Sequence, residues 1–224
     1  TVLSHNRHWL LMRRVWILQT RLFLRMANMR VVFFDLETGG LDGTVYPITQ
    51  IGAVVTDENL NEIESYERKV LFQEKNADPV ALKKNHYDRK VWQAEGRDPR
   101  EVVLEFTALL DKYRDIKNLS AKGKFYTSTQ LAGHNAAVFD RKFLGEWYKR
   151  LGAYCPGDWR VLDTLQLALW WYRVTGRPRP ENFRLETLCE DLGIPMEGSA
   201  HDALVDVRAT VALAKRLTQK GEVE

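Results

Sequence analysis

The stretch Val31-Val32-Phe33-Phe34-Asp35-Leu36-Glu37-Thr38-Gly39-Gly40 constrains this chain more than any other, because an apolar β-type run leads straight into two carboxylates and then into glycines. Such a run reads as a buried strand. Side chains on a strand alternate faces, so Asp35 and Glu37, two apart, project the same way if the extended backbone continues through them. Like charges held side by side repel and lose hydration, which is unfavourable without a partner. A divalent cation is the simplest partner, and carboxylate oxygens are hard ligands suited to Mg2+ or Mn2+. On its own the pair reads more readily as a turn cap beside a solvated glutamate, so the decision lies downstream.

The chain has 224 residues, of which 45% are hydrophobic, and one large domain with a sizeable core is expected. A net charge of +3 is compatible with a nucleic-acid partner but too small to establish one. Cys155 and Cys189 show neither a metal-ligand spacing nor a disulfide framework, so a reducing, cytoplasmic setting is expected. Arg13, Arg14, Arg21 and Arg25 break the one candidate membrane segment well short of the roughly 20 apolar residues a span needs. The expectation is a soluble protein without stable membrane insertion.

Residues 1–28 differ from the rest: arginines lie among scattered Leu, Val, Ile and Trp, with no acid before Asp35. Leu11, Val15, Leu18 and Leu22 recur at helical spacing while Arg7, Arg14, Arg21 and Arg25 fall on another stripe, which describes an amphipathic basic helix. Three readings compete for this extension. It is a transit peptide, a segment lying on a membrane surface or nucleic acid, or sequence upstream of a natural start at Met26 or Met29. The last is favoured, because the first strand follows at once from Arg30 and the chain opens on Thr1.

Further strands are expected at 49–56 and 63–72, joined through Asp57-Glu58-Asn59, so that the first three strands are antiparallel. Short helices follow at 81–85 and 88–93, and a longer one from Pro99 to about Tyr113 buries Val102, Val103, Phe106, Leu109 and Leu110. Residues 114–129 show no period and read as a mobile basic loop. A strand at 130–133, a helix running to Leu151, another from Val161 to about Tyr172, and two closing helices at 185–192 and 200–217 complete the expectation.

Four acids stand at the edges of apolar elements: Asp35, Glu37, Asp140 and Asp206. Asp140, at the start of a helix, also fits a plain N-terminal dipole role. His201 and Asp206 are five apart at the beginning of the last helix, which sets them well apart around its axis, flanking a site without bonding to each other.

Three blocks closely resemble the DEDDh 3′-to-5′ exonucleases, a family that includes the proofreading subunit of bacterial replicative DNA polymerase. They are Asp35-Leu36-Glu37-Thr38-Gly39, continued by Gln50-Ile51-Gly52-Ala53; His134-Asn135-Ala136-Ala137-Val138-Phe139-Asp140, one residue longer than the commonest form; and His201-Asp202-Ala203-Leu204-Val205-Asp206. Asp163-Thr164 resembles a supporting element between the second and third. The blocks stand in the family's order and span residues 31 to about 217, making 29–224 the exonuclease domain.

The resemblance implies an α/β, RNase H-like fold: a mixed sheet of five strands, the first three antiparallel and later ones parallel to the first, with helices on both faces. It implies that Asp35, Glu37, Asp140 and Asp206 bind two Mg2+ or Mn2+ ions that clamp the scissile phosphate, and that His201 takes the proton of the attacking water. By the same resemblance, the backbone around Thr38 and Gly39 receives the terminal 3′-hydroxyl, Leu41 and Ile51 pack on the base, and His134 and Asn135 contact phosphate or sugar. For Ile51, plain core is the competing reading. Single-stranded DNA 3′ ends are the expected substrate, with RNA as the alternative, a non-catalytic binding module as a third reading, and a polymerase or repair protein as a possible partner. Lys122, Lys124, Arg177 and Arg179 are candidates for steering the strand, or simply solvated charge.

Overall fold

The structure, a computed structural model, describes residues 29–196, 198 and 201–218. The expectations for the basic segment 1–28 and for a helix start at Ala200 lie outside the described residues.

Strand β1 (Val31–Thr38) is sorted by its own alternation: Val32, Phe34 and Leu36 enter one core, and Val31 and Phe33 enter another on the opposite face. Beside it, β2 (Ile48–Thr56) runs antiparallel in a register that sets Phe34 against Ala53 and Asp35 against Gly52. The edge strand β3 (Glu62–Lys69) pairs with β2, stops short of the expected Phe72, and carries ion pairs such as Arg68–Glu105 and Lys69–Glu95. The turn between β2 and β3 is closed by the Asp57 carboxylate, which accepts from the N–H groups of Asn59 and Asn61.

Helices α1 (Pro79–Lys84), α2 (Arg89–Glu95) and α3 (Pro99–Lys112) each begin on an aspartate, Asp78, Asp88 or Asp98, whose carboxylate accepts a first-turn N–H. Proline opens α1 and α3, where its missing N–H is harmless. The loop expected at 114–129 is instead a hairpin, β4 (Ile116–Leu119) paired antiparallel with β5 (Phe125–Ser128). The inward face of this hairpin is polar, with Asn118 and Ser128 buried against Asp158, so the apolar alternation that announces a strand pair is absent.

Strand β6 (Gln130–Gly133) leads to α4 (Asp140–Arg150). The helix expected from Val161 starts later: Leu162–Asp163 is a short strand, β7, and α5 (Thr164–Thr175) follows with Asp163 as its cap. Helices α6 (Leu185–Asp191) and α7 (Ala203–Thr218) end the described chain.

The five-stranded sheet has the order β3-β2-β1-β6-β7, with β6 and β7 parallel to β1. Helices α3 and α4 cover one face, where Phe34, Phe106, Leu110 and Phe143 are almost fully buried, each contributing about 1.5–3 kcal/mol. The other face is covered by α7 through Val207, Val211 and Ala214, with α5 and α6 packed on α7. Strand β1 spans eight residues yet pairs with β6 only over Val31–Phe33, so its second half runs on past the end of its neighbour. Among the described residues no helix is long and apolar enough to cross a membrane, and Cys155 and Cys189 are free thiols.

Candidate active site

Asp35 and Glu37 continue the alternation of Val31 and Phe33, so they emerge on the face that α7 covers. Gly52, opposite Asp35, lets α7 approach: a Cβ there would stand 2.6 Å from the Ala203 carbonyl carbon and 2.7 Å from the Leu204 nitrogen. This close seating brings Asp206, in the first turn of α7, to Glu37. Glu37, His201 and Asp206 each present a ligand atom, all within 4.8 Å of one another. His201 precedes α7 instead of opening it, with a left-handed backbone (φ 65), and its N–H donates to Asp206 Oδ2 at 3.2 Å. The separation expected from helical geometry fails for that reason: only Asp206 is on the helix.

Asp140 reaches the same place from the other side. Because β6 has ended, the N–H of Leu36 donates to Asp140 Oδ1 at 3.1 Å, and the carboxylate stands where a neighbouring strand would have been. The loop that delivers it is held by Asp163, which accepts from the N–H groups of Asn135 (2.9 Å), Ala137 (3.0 Å) and Leu165 (3.0 Å). Asn135 adopts φ 59, a conformation asparagine tolerates better than most residues. The ring of His134 bridges Thr164 Oγ1 and the Phe183 carbonyl, both at 2.9 Å. The carbonyl requires a protonated Nε2, so Nδ1 accepts from Thr164. Both nitrogens are thus bonded within the protein, while the residue also lines the cavity that holds the acids.

Burial sets the electrostatics. It raises Asp35 well above the carboxylate range, reinforced by Asp140 and Glu37. Glu37 is pushed up to about 8 by burial and then by Asp206, with Lys84 opposing. Asp140 is raised to about 7 and Asp206 to about 6, burial again leading. The imidazole of His201 is lowered by burial and by Lys84, so it is neutral at neutral pH. Asp206 Oδ1 is buried without a hydrogen-bond partner. Among the described residues Lys84 is the one positive charge that opposes the shift of Glu37 or Asp206, and one oxygen lacks a donor; a divalent cation would supply the missing charge and take the place of that donor. The donor set of carboxylate oxygens and an imidazole fits such an ion.

These groups line a cavity of about 930 Å3 together with Thr38, Leu41, His134 and Asn135. Leu41, among the residues lining it, is 87% exposed. Thr38 Oγ1 donates to the Gly40 carbonyl at 2.7 Å, and the Thr38 carbonyl accepts from Asn85 Nδ2 at 2.9 Å. The Gly39 N–H donates to the Pro47 carbonyl at 2.8 Å, and the Gly39 carbonyl accepts from the Asp78 N–H at 2.7 Å, leaving its second lone pair unassigned. Ile51 is fully buried in the α3/α4 core, on the sheet face away from the acids, and plain core is the correct reading. Arg177 pairs with Asp191 and Arg179 lies over Phe183, so both cations already have partners within the protein. Sequence reasoning missed Lys84, Asn85 and Glu186, whose Oε1 is 3.9 Å from His201 Nε2. The Asp78-Pro79 cap announces the helix whose end carries Lys84 and Asn85, but no motif spacing marks them.

A mixed sheet of this order, with an acid-lined groove and an imidazole at its end, defines an RNase H-like nuclease. The chain belongs to the exonuclease family (RNase_T), whose profile matches residues 32–214. It is therefore an enzyme, a 3′-to-5′ exonuclease that hydrolyses phosphodiesters. It is 28% identical over 192 residues to the oligoribonuclease of Francisella tularensis subsp. tularensis (strain FSC 198), covering 85% of this chain and 94% of that protein. The oligoribonuclease of Francisella tularensis subsp. novicida (strain U112) is 27% identical over 195 residues, with the same coverage. Among solved structures, E. coli exonuclease I in complex with a dT13 oligonucleotide superposes with a TM-score of 0.67 at 26% identity, over 84% of this chain. This chain spans only 40% of that longer one.

Proposed function

We propose that this enzyme removes nucleotides from the 3′ ends of single-stranded DNA, releasing nucleoside 5′-monophosphates. The observation that carries the reading is the convergence of Glu37, His201 and Asp206 within 4.8 Å, beside a buried Asp206 oxygen with no partner, in the cavity that also holds Asp35 and Asp140. Asp35, Glu37, Asp140 and Asp206 are the residues that would hold two Mg2+ or Mn2+ ions. When bound, such ions supply Lewis acidity and neutralise charge developing on the phosphate.

The chain's own residues do the rest. His201, neutral at neutral pH, accepts a proton from the attacking water as its oxygen bonds to phosphorus and the P–O3′ bond breaks, and the departing 3′-oxygen takes up a proton from solvent to become the new 3′-hydroxyl. Leu41 packs against the terminal base, and Lys84 faces the phosphate from the end of α1. A terminal base must leave the stack to lie along such a groove, which favours single strands. RNA is the second reading, supported by the oligoribonuclease relatives, since a terminal 2′-hydroxyl adds only one small polar group to the same geometry.

A 5′-labelled single strand, offered as DNA and as RNA with Mg2+ or with chelator, tests the reading. Stepwise 3′ shortening that needs the metal is expected. Asp35→Asn and Asp206→Ala should lower the rate by several orders of magnitude, and His201→Ala by about 10² to 10⁴-fold. Internal cleavage products, or wild-type rates in Asp206→Ala, would discredit it.

A further inference from the structure

The β4–β5 hairpin has no part in the groove. Gln130, where β5 gives way to β6, pairs with Val31 at the start of β1, whereas the acids stand at the other end of β1. From Phe125 to Gly133 the chain extends at most about 26 Å. The hairpin therefore leaves the sheet at the end opposite the acids.

Its two faces differ. The inward face is fastened: Ser128 Oγ donates to Asp158 Oδ2 at 2.8 Å, Asn118 Nδ2 donates to the same oxygen at 3.2 Å, and Arg160 joins Asp158 to Asn118. The outward face carries Lys117, and the cross-strand pair Leu119 and Phe125, which are 62% and 82% exposed. The turn adds Lys122 and Lys124, and no acidic residue occurs between 116 and 128. Among the described residues none of these three lysines takes part in an ion pair. A rigidly held strip with an exposed ring among uncompensated cations has the composition of a single-strand contact: rings stack on bases and lysines meet phosphates. It also answers a need of the groove, whose acids repel the backbone they must cut.

We propose that the outer face of this hairpin is a second nucleic-acid contact, in which Phe125, Lys117, Lys122 and Lys124 hold the part of a single strand lying outside the catalytic groove. The proposal rests on the groove being an exonuclease site for single strands. It predicts that affinity depends on strand length while chemistry does not.

The test compares a strand of about 20 nucleotides with a trinucleotide on the full chain and on Phe125→Ala and the double variant Lys122→Gln/Lys124→Gln. For the long strand KM should rise about tenfold in either variant at unchanged kcat, and trinucleotide kinetics should be unchanged. The salt dependence of long-strand binding should flatten by about 1.4 in log–log slope in the double variant, because two phosphates are no longer neutralised by lysine. Anisotropy of the labelled long strand in chelator reads the hairpin without turnover, so an inactive wild type would refute the function above and leave this test intact. An unchanged long-strand KM, an equal effect on the trinucleotide, or a change in the sedimentation of the free enzyme, which would mark a protein contact, each overturns the proposal.

Discussion

Gly52→Ala should disable the enzyme without touching a single acid. The new Cβ would meet the Ala203 carbonyl carbon at 2.6 Å, its oxygen at 2.7 Å and the Leu204 nitrogen at 2.7 Å. All three are backbone atoms, so no side chain can swing aside. Ordinary contact begins at 3.4 Å, so the first turn of α7 must retreat by about 0.8 Å. That turn carries Asp206 and follows His201, and both leave Glu37 together. Overpacking of this kind costs about 1–3 kcal/mol, or roughly 2–4 °C in melting temperature per kcal/mol for a chain of this size. Misplacement approaching 1 Å at a reacting centre costs about 10²-fold in rate. Single-turnover shortening of a labelled strand at saturating Mg2+, measured well below the variant's melting temperature, should show that loss in kcat while KM changes less, because Leu41 and its wall are undisturbed. A folded Gly52→Ala protein with wild-type kcat would refute the idea that glycine at this position sets the distance between Asp206 and Glu37.

Gly145→Ala serves as the contrast: its Cβ would meet only Arg141 Nη1 at 3.4 Å inside α4, so stability should rise by about 0.4–1 kcal/mol in a denaturant titration. Asp163→Ala releases the N–H groups of Asn135 and Ala137 and uncaps α5; calorimetry should show a loss of about 1–3 kcal/mol, and kcat should fall because the loop that delivers Asp140 loosens. Glu37, Asp140 and Asp206 have folded pKa values of about 8, 7 and 6, raised above their unfolded values. Their contribution is therefore fully present below about pH 4 and lost as pH climbs through 6 to 8. Since a divalent ion binds the deprotonated acids, the rise in melting temperature on adding Mg2+ to chelator-treated protein should be larger at pH 8 than at pH 5.5; a pH-independent rise would contradict this.

The strand that bears Asp35 and Glu37 could be read in full because both the alternation and the chemistry lie within eight residues. The aspartate-capped helices were legible too, since a cap is a local signal. Ile51 went astray because facing depends on register. Gly52, directly opposite Asp35, shares its face, so Ile51 must point away; but that pairing joins strands across a loop and no local pattern encodes it. The 114–129 hairpin was hidden by a fastening made of Asn118, Ser128 and Asp158, which gives polar residues the buried places that usually betray a strand. His201 and Asp206 were separated on paper by an assumed helix, whereas a left-handed residue folds one back onto the other. Lys84 and Glu186 come from segments far from the acids in sequence, and only tertiary packing brings them to the cavity.

Strand β1 outlasts β6, and Asp140 takes the rung that a longer β6 would have used to grip Leu36. The opening therefore lies where the weave lacks a rung, just past the end of β6 at Gly133. Extending β6 by a pair of residues would seal the enzyme with plain backbone, every acid still in the chain. Reshaping the 134–139 connection would resize the mouth while leaving the oily interior untouched.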